Sequence, residues 1–294
     1  MTPNSNPNLS MFNGSIAALV TPFTDQGEID FPALDGLLAF HLEHGTDGLV
    51  IAGTTGESAT LNRDEFTAVL KRVIGQVAGR MPVVAGTGSA STASAIRQTR
   101  LACDLGADAA LVVTPYYTRP TQAGLLAHFT AIADASSIPL VLYNVPSRTA
   151  VDMLPATVAQ LASHPRILGI KEAVAKPERI VELTEACGAG FIVLSGDDHS
   201  CLQAMKQGAA GVVSVAANAA PGQMHLLCRA AQRQDWAEAE RMDSGLQPLF
   251  DLLMIETNPI PVKWALFQMG LVSSGIRLPL TELDEKHRVP LRQC

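Results

Sequence analysis

Short, largely apolar runs punctuate the chain at residues 15–20, 48–52, 82–85, 109–113, 139–143, 167–171, 191–194 and 211–215. None alternates apolar with polar positions, so each is expected to be a strand buried on both faces, as in a parallel sheet. The segments between them carry a different period. Leu34, Leu37, Leu38 and Leu42 share one face of a helix expected over 31–44, and Phe66, Val69, Leu70, Val73 and Ile74 one face of a helix over 63–77. Residues 91–105 and 123–135 repeat the pattern with smaller side chains. Eight buried strands, each followed by a helix-length segment, predict an α/β fold: a (β/α)8 TIM barrel. A doubly wound open sheet is the alternative, but Val20-Thr-Pro-Phe-Thr24 lacks the glycine-rich loop which that fold places after its first strand. After Val215 no strand signal recurs, and 221–271 reads as helices. The expected organisation is a disordered tail over 1–11, a catalytic barrel over 12–228 and a C-terminal helical appendage over 229–294.

Composition narrows the function. With 47% hydrophobic and 17% charged residues among 294, the chain has ample material for a core. A net charge of −7 argues against nucleic acid or an anionic membrane as partner. No apolar run reaches the roughly 18 residues a membrane helix needs, and the start has neither the basic nor the apolar region of a signal peptide. The five cysteines are odd in number and widely spread, and read as buried thiols of a cytoplasmic protein.

In such barrels the chemistry sits where strands run into the following loops. Those positions hold Thr54 and Thr55 among glycines, Thr87, Tyr116 and Tyr117, Tyr143 and Asn144, Lys171, and Ser195-Gly196-Asp197. Six lysines occur, and only Lys171 ends an apolar strand. Burial there favours the neutral amine, the form that adds to a carbonyl to make a Schiff base; a lysine snorkelling to the surface or pairing with a carboxylate is the plainer alternative. Strand alternation sends the adjacent Glu172 to the opposite face. Tyr143 is placed to exchange protons beside such an amine, Thr54 and Thr55 offer hydroxyls, and Arg148 can clamp a carboxylate. Histidines and carboxylates show no metal-ligand spacing, and His41 and His44 are expected on a solvated helix face. Gly86-Thr-Gly-Ser89 resembles a phosphate loop only loosely and lacks a lysine. Neither a metal nor a cofactor is expected.

Several ordered motifs then coincide: Gly53-Thr-Thr-Gly-Glu-Ser-Ala-Thr-Leu61, Val113-Thr-Pro-Tyr-Tyr117, Leu142-Tyr-Asn-Val-Pro-Ser-Arg-Thr149, Gly169-Ile-Lys-Glu-Ala173, Leu194-Ser-Gly-Asp-Asp198 and Asn258-Pro-Ile-Pro-Val-Lys-Trp264. Together the chain resembles the dihydrodipicolinate synthase family, within the N-acetylneuraminate lyase group of class I aldolases. The resemblance implies condensation of pyruvate with L-aspartate 4-semialdehyde to 4-hydroxytetrahydrodipicolinate, the first committed step toward diaminopimelate and lysine. It implies that Lys171 forms the imine with pyruvate and that Tyr143 exchanges protons beside it. Thr54 and Tyr117 would complete a proton relay, Tyr117 reaching in from a neighbouring subunit. Thr55 would hold the pyruvate carboxylate, Gly196 and the backbone at Val213 would line the same pocket, and Arg148 would bind the semialdehyde carboxylate. A homotetramer of two tight dimers is implied as well.

Lysine-inhibited family members use a regulatory pocket after Gly56 and Gly88. Ser58, Ala59 and Tyr116 match it, but Arg63 and Phe66 replace histidines, Ala90 an asparagine and Ser94 a glutamate, so feedback by lysine is expected to be weak or absent. A sister pyruvate-dependent aldolase, for N-acetylneuraminate or a 2-keto-3-deoxy sugar acid, is the alternative activity. Arg148, the Thr54-Thr55 pair and the Tyr116-Tyr117 doublet favour the synthase. A non-catalytic sensor on the same scaffold would be expected to lose the lysine or the tyrosine, and both are present.

Overall fold

Eight parallel strands, β1 (Gly14–Ala18), β2 (Gly48–Ile51), β3 (Val83–Gly86), β4 (Ala109–Val113), β5 (Leu140–Asn144), β6 (Ile167–Glu172), β7 (Ile192–Ser195) and β8 (Gly211–Ser214), pair in chain order, and β8 returns to β1 to close a barrel. This is the TIM-barrel architecture, seen in a computed structural model that describes residues 12–293; the tail expected over 1–11 and Cys294 lie outside the described residues. Each strand lies within a residue or two of its apolar run, because continuous burial on both faces is what those runs encode.

The helices α1 (Phe31–Glu43), α2 (Arg63–Val77), α3 (Thr92–Leu105) and α4 (Gln122–Asp134) follow the first four strands. Their starts are fixed by side chains that accept from orphan backbone N–H groups: Asp30, Asn62, Ser91 and Thr121. Asn62 and Glu65 form a reciprocal capping box. One apolar layer fills the space between barrel and helices, with Leu37, Leu70 and Phe129 fully buried. A second fills the barrel interior, with Ile16, Val50, Leu111, Val141, Leu194 and Val213.

Two expectations fail in detail. His41 is not solvated but buried on the inner face of α1, its Nδ1 2.8 Å from Thr46 Oγ1. Its place one turn from Leu37 and Leu38 puts it on the apolar stripe, and a hydroxyl takes up its polar edge. His44 stays exposed and bonds the Phe40 carbonyl. Among the cysteines, Cys201 and Cys228 are buried, whereas Cys103 and Cys187 are only half-buried, and all four are free thiols.

Between β5 and β8 the chain adds α5 (Pro146–Thr149), α6 (Pro155–Ala162), α7 (Pro177–Cys187) and α8 (Cys201–Lys206). Beyond β8 come α9 (Pro221–Gln232), α10 (Trp236–Leu253), α11 (Ile260–Gln268) and α12 (Glu285–Gln293). Helix α9 packs on β1 and spans the boundary expected between residues 228 and 229. The terminal α12, less clearly helical in sequence because Pro290 interrupts it, is held by buried Leu291 and by Arg292 bonded to Gln268 Oε1 at 2.9 Å.

Candidate active site

The orientation of Lys171 depends on an irregularity. On β6, Leu168 faces the barrel interior and Ile170 faces the helices. Simple alternation from Leu168 would send Ile170 inward and Lys171 outward. Instead the register with β5 slips: Leu140 pairs with Ile167 but Val141 with Gly169, so Leu168 is an extra, bulged residue. The slip inverts the phase, and Tyr143 and Lys171 become register partners on the inner side. Gly169 permits it, since a Cβ there would lie 2.4 Å from the Ile192 carbonyl oxygen.

Lys171 is 6% exposed, and its Nζ lies 4.3 Å from the centroid of the Tyr143 ring. Among the described residues no carboxylate lies within ion-pairing distance of it, and Glu172 points the other way, toward Asn144. A buried amine without a counter-charge beside a phenol is what carbonyl addition needs. Lys171, Tyr143, Thr54, Thr55, Arg148 and Gly196 line one cavity of about 130 Å³ at the carboxyl ends of the strands. A Cβ on Gly196 would stand 3.0 Å from Lys171 Cε and 2.9 Å from the Ala173 Cβ, so glycine keeps the floor beside the amine open.

Thr55 is buried, and its Oγ1 accepts from Asn258 Nδ2 at 3.0 Å, which leaves the hydroxyl proton to be donated elsewhere. Arg148, exposed at the mouth, donates from Nη2 to the Asn258 carbonyl at 3.3 Å. Asp198 accepts from the Val215 and Ala216 backbone N–H groups at 3.0 and 2.8 Å, tying the β7 loop to the β8 loop.

Two expected residues lie apart from this cluster. Tyr117 projects from the β4 loop with φ +68° and 94% exposure, away from its own chain's cavity. Val213 sits on β8 with its side chain in the inner apolar cluster. Ser58, Ala59, Ser94 and Tyr116 line a second cavity of about 490 Å³, whereas Ala90 does not. The two cavities meet at Thr54, Val145, Arg148 and Asn258.

Asn258 was invisible as a functional residue in the sequence, although its motif stood out there. So was a second buried lysine. Lys263, on α11, is 4% exposed and 2.5 Å from Glu57 Oε1, and Glu57 Oε2 accepts from Arg277 N at 3.1 Å. Burial lowers the Lys263 pKa while the Glu57 charge opposes the change. Lys263 is thus a paired buried lysine, whereas Lys171 shares its cavity with Thr54 and Thr55. Among the described residues no cluster of His, Cys, Asp and Glu could hold a metal ion, and no helix is long and apolar enough to cross a membrane.

Comparison with known proteins agrees with this geometry. The chain matches the Dihydrodipicolinate synthetase family over residues 11–294. The 4-hydroxy-tetrahydrodipicolinate synthase of Methylococcus capsulatus is 53% identical over 284 residues, covering 97% of this chain and 98% of that one. Its counterpart in Pseudomonas aeruginosa is 52% identical, with 97% of each covered. Among solved structures, the chloride-inhibited dihydrodipicolinate synthase of Acinetobacter baumannii complexed with pyruvate superposes with a TM-score of 0.95 at 48% identity, over 96% of this chain and 97% of that one. A closed barrel with an unpaired lysine and a tyrosine facing each other at its carboxyl end, and half the sequence shared along nearly its whole length, place the chain in the dihydrodipicolinate synthetase family.

Proposed function

We propose that the chain is a 4-hydroxy-tetrahydrodipicolinate synthase, condensing pyruvate with L-aspartate 4-semialdehyde through a Schiff base on Lys171. The observation that carries this reading is the buried Lys171 amine, without a carboxylate partner, over the Tyr143 ring. The names of the relatives favour this activity over cleavage of N-acetylneuraminate or a keto-deoxy sugar acid.

In the reaction the neutral amine adds to pyruvate C2, the former carbonyl oxygen is protonated and leaves as water, and a protonated imine remains. That nitrogen is the electron sink: loss of a C3 proton gives an enamine, whose C3 attacks the aldehyde carbon while the aldehyde oxygen takes up a proton. The semialdehyde amino group then attacks the imine carbon, closes the ring and releases the Lys171 amine. Tyr143 is assigned the proton exchanges at the imine and Thr54 their onward transfer. Thr55, its oxygen already occupied by Asn258, donates to the pyruvate carboxylate, with Gly196 in the same cavity; Val213, outside the lining, is given no contact with it. Arg148 at the mouth is assigned the semialdehyde carboxylate.

The relay needs a second chain. Tyr117, 94% exposed, is assigned to a neighbouring subunit's pocket, which makes the working unit at least a dimer and, by family resemblance, a homotetramer in the cytoplasm. Borohydride trapping with pyruvate tests the central claim: a peptide-mass adduct at Lys171 is expected, and its absence sinks the reading. Turnover of pyruvate with the semialdehyde, and none of N-acetylneuraminate, separates the synthase from its sister aldolases.

A further inference from the structure

Behind the Tyr143–Lys171 pair, on the outer faces of the same two strands, lies a buried polar cluster that the chemistry above leaves unused. Asn144 and Glu172 are register partners, each one residue beyond the inward-facing pair. Asn144 Nδ2 donates to both Glu172 carboxylate oxygens at 3.1 Å and to Asp152 Oδ1 at 2.8 Å, while its Oδ1 accepts from Met153 N at 3.0 Å. Glu172 Oε1 also accepts from Val174 N at 2.8 Å. Arg179 on α7 sits 3.6 Å from Glu172 Oε2 and grips Asp152 through two nitrogens at 2.9 and 2.7 Å. The main chain extends the cluster, because Ala173 N donates to the Asn144 carbonyl at 2.9 Å and Gly196 N to the Glu172 carbonyl at 2.7 Å. One set of bonds therefore fixes the ends of β5 and β6 and the glycine beside the amine.

We infer that the Asn144–Glu172–Arg179–Asp152 cluster positions the reacting pair: with Glu172 ionised, it fixes where β5 and β6 end and hence the place of the Lys171 amine against Tyr143. This rests on Lys171 being the imine-forming residue. An amide of the same shape would fill the same space but would set an N–H donor against Asn144 or Arg179. A carboxyl makes the cluster sensitive to protonation, since the ionised form accepts from every donor aimed at it, whereas the acid turns one oxygen into a donor facing donors. The Glu172 side chain is 0% exposed, and burial pushes its pKa up to about 7, while Asn144, the Val174 N–H and Arg179 pull it down and Asp152 raises it. The other groups around the cluster are accounted for. Lys176 acts on Asp152, Glu182 lies 3.8 Å from Arg179, and Ser195, Ser200 and Gln203 on the β7–α8 side carry no charge.

Imine formation should therefore slow as pH falls through about 7, as Glu172 takes up a proton and the alignment loosens. The experiment is the rate of pyruvate–borohydride trapping and of turnover between pH 6 and 9 in the intact enzyme, for wild type, Glu172→Gln, Arg179→Gln and Arg179→Lys. Glu172→Gln should lower kcat by roughly 10-fold, the order expected of a slightly misplaced reacting group. Its KM for pyruvate should stay near that of wild type, and the ionisation near neutrality should vanish. Arg179→Gln, which removes the cation facing Glu172, should move the wild-type ionisation upward by roughly one pH unit, and Arg179→Lys should restore it. A Glu172→Gln profile that keeps the wild-type limb, or a variant altered in KM alone, overturns the inference. If Glu172→Gln fails to fold, an unmoved limb in Arg179→Gln overturns it. Wild type that traps no pyruvate overturns the function proposed above instead.

Discussion

Removing the cation of the buried Glu57–Lys263 pair by Lys263→Met should damage the protein far more than removing both charges. Glu57 has a side chain 0% exposed and Lys263 one 4% exposed, and the two lie 2.5 Å apart between the Thr54-Thr55 loop and α11. Methionine replaces the stem of Lys263 over the Phe23 ring, where its Nζ now lies 4.4 Å from the centroid, but leaves the Glu57 carboxylate with only the Arg277 N–H. An uncompensated buried charge of this kind costs about 3–5 kcal/mol. With an unfolding entropy of about 2.1 cal/mol/K per residue, a chain of this length should melt roughly 5–8 °C lower. Glu57→Gln added to Lys263→Met removes the stranded charge, and the double variant should recover most of the loss. Melting of wild type, Lys263→Met, Glu57→Gln and the double variant by calorimetry closes the cycle. If Lys263→Met melts with wild type, or the double variant is destabilised by the sum of the singles, the pair is not the coupled buried unit that its geometry describes.

Arg148→Ala should raise the KM for L-aspartate 4-semialdehyde by roughly 10- to 150-fold, the usual worth of a charged hydrogen-bond donor, while the pyruvate adduct still forms; a variant that cannot form the adduct contradicts the role assigned to Arg148. Millimolar L-lysine should leave turnover unchanged, because Glu57, the carboxylate lining the 490 Å³ cavity, is already neutralised by Lys263, and Ser94 accepts from Arg97 instead of offering an acid. Inhibition that Tyr116→Ala abolishes would show that reasoning to be mistaken. Burial holds His41 and His128 at pKa values of about 4, below the usual 6.5, so the unfolded chain binds more protons between those limits. Their contribution is then complete above pH 6.5 and declines as pH falls, by about 2 kcal/mol each at pH 5. Calorimetry from pH 7 to 5 should show it, with His41→Leu losing less than wild type over that range; an equal loss in the variant contradicts the assignment.

What could be read from the sequence is what burial periodicity encodes. Runs such as 109–113 and 211–215 mark strands because both of their faces meet apolar neighbours, and α2 shows itself by the shared face of Phe66, Val69, Leu70, Val73 and Ile74. Lys171 and Tyr143 could be singled out because a lysine closing an apolar strand is chemically conspicuous. Contacts between distant segments left no such mark. Asn258 reaches Thr55 across more than two hundred residues, and Lys263 reaches Glu57 across a similar distance. Neither position looks unusual within its own helix or loop, and only closure of the barrel and docking of α11 bring the partners together. His41 misled for the opposite reason: its local setting suggested solvent, whereas Thr46 on the following turn supplies the polar partner that lets it be buried.

The inward direction of Lys171 combines both kinds of information. Sequence alternation correctly separates Lys171 from Glu172, since neighbouring residues in a strand must face opposite ways. It cannot say which of the two faces inward, because that depends on counting from a residue of known facing, and the count fails across the bulge at Leu168. Counted from Leu168, the carboxylate would enter the barrel and the lysine would face the helices. The bulge exchanges them, and the main-chain approach that allows it requires a glycine at 169, where a Cβ would collide with the Ile192 carbonyl. The Gly169-Ile-Lys-Glu172 sequence can therefore be read as one physical unit. The glycine admits the slip, the slip turns the amine inward to Tyr143, and the carboxylate falls on the outer face, where Asn144 receives it. A Gly169→Val substitution acts on the first of these steps and so on all three, although residue 169 need not touch substrate.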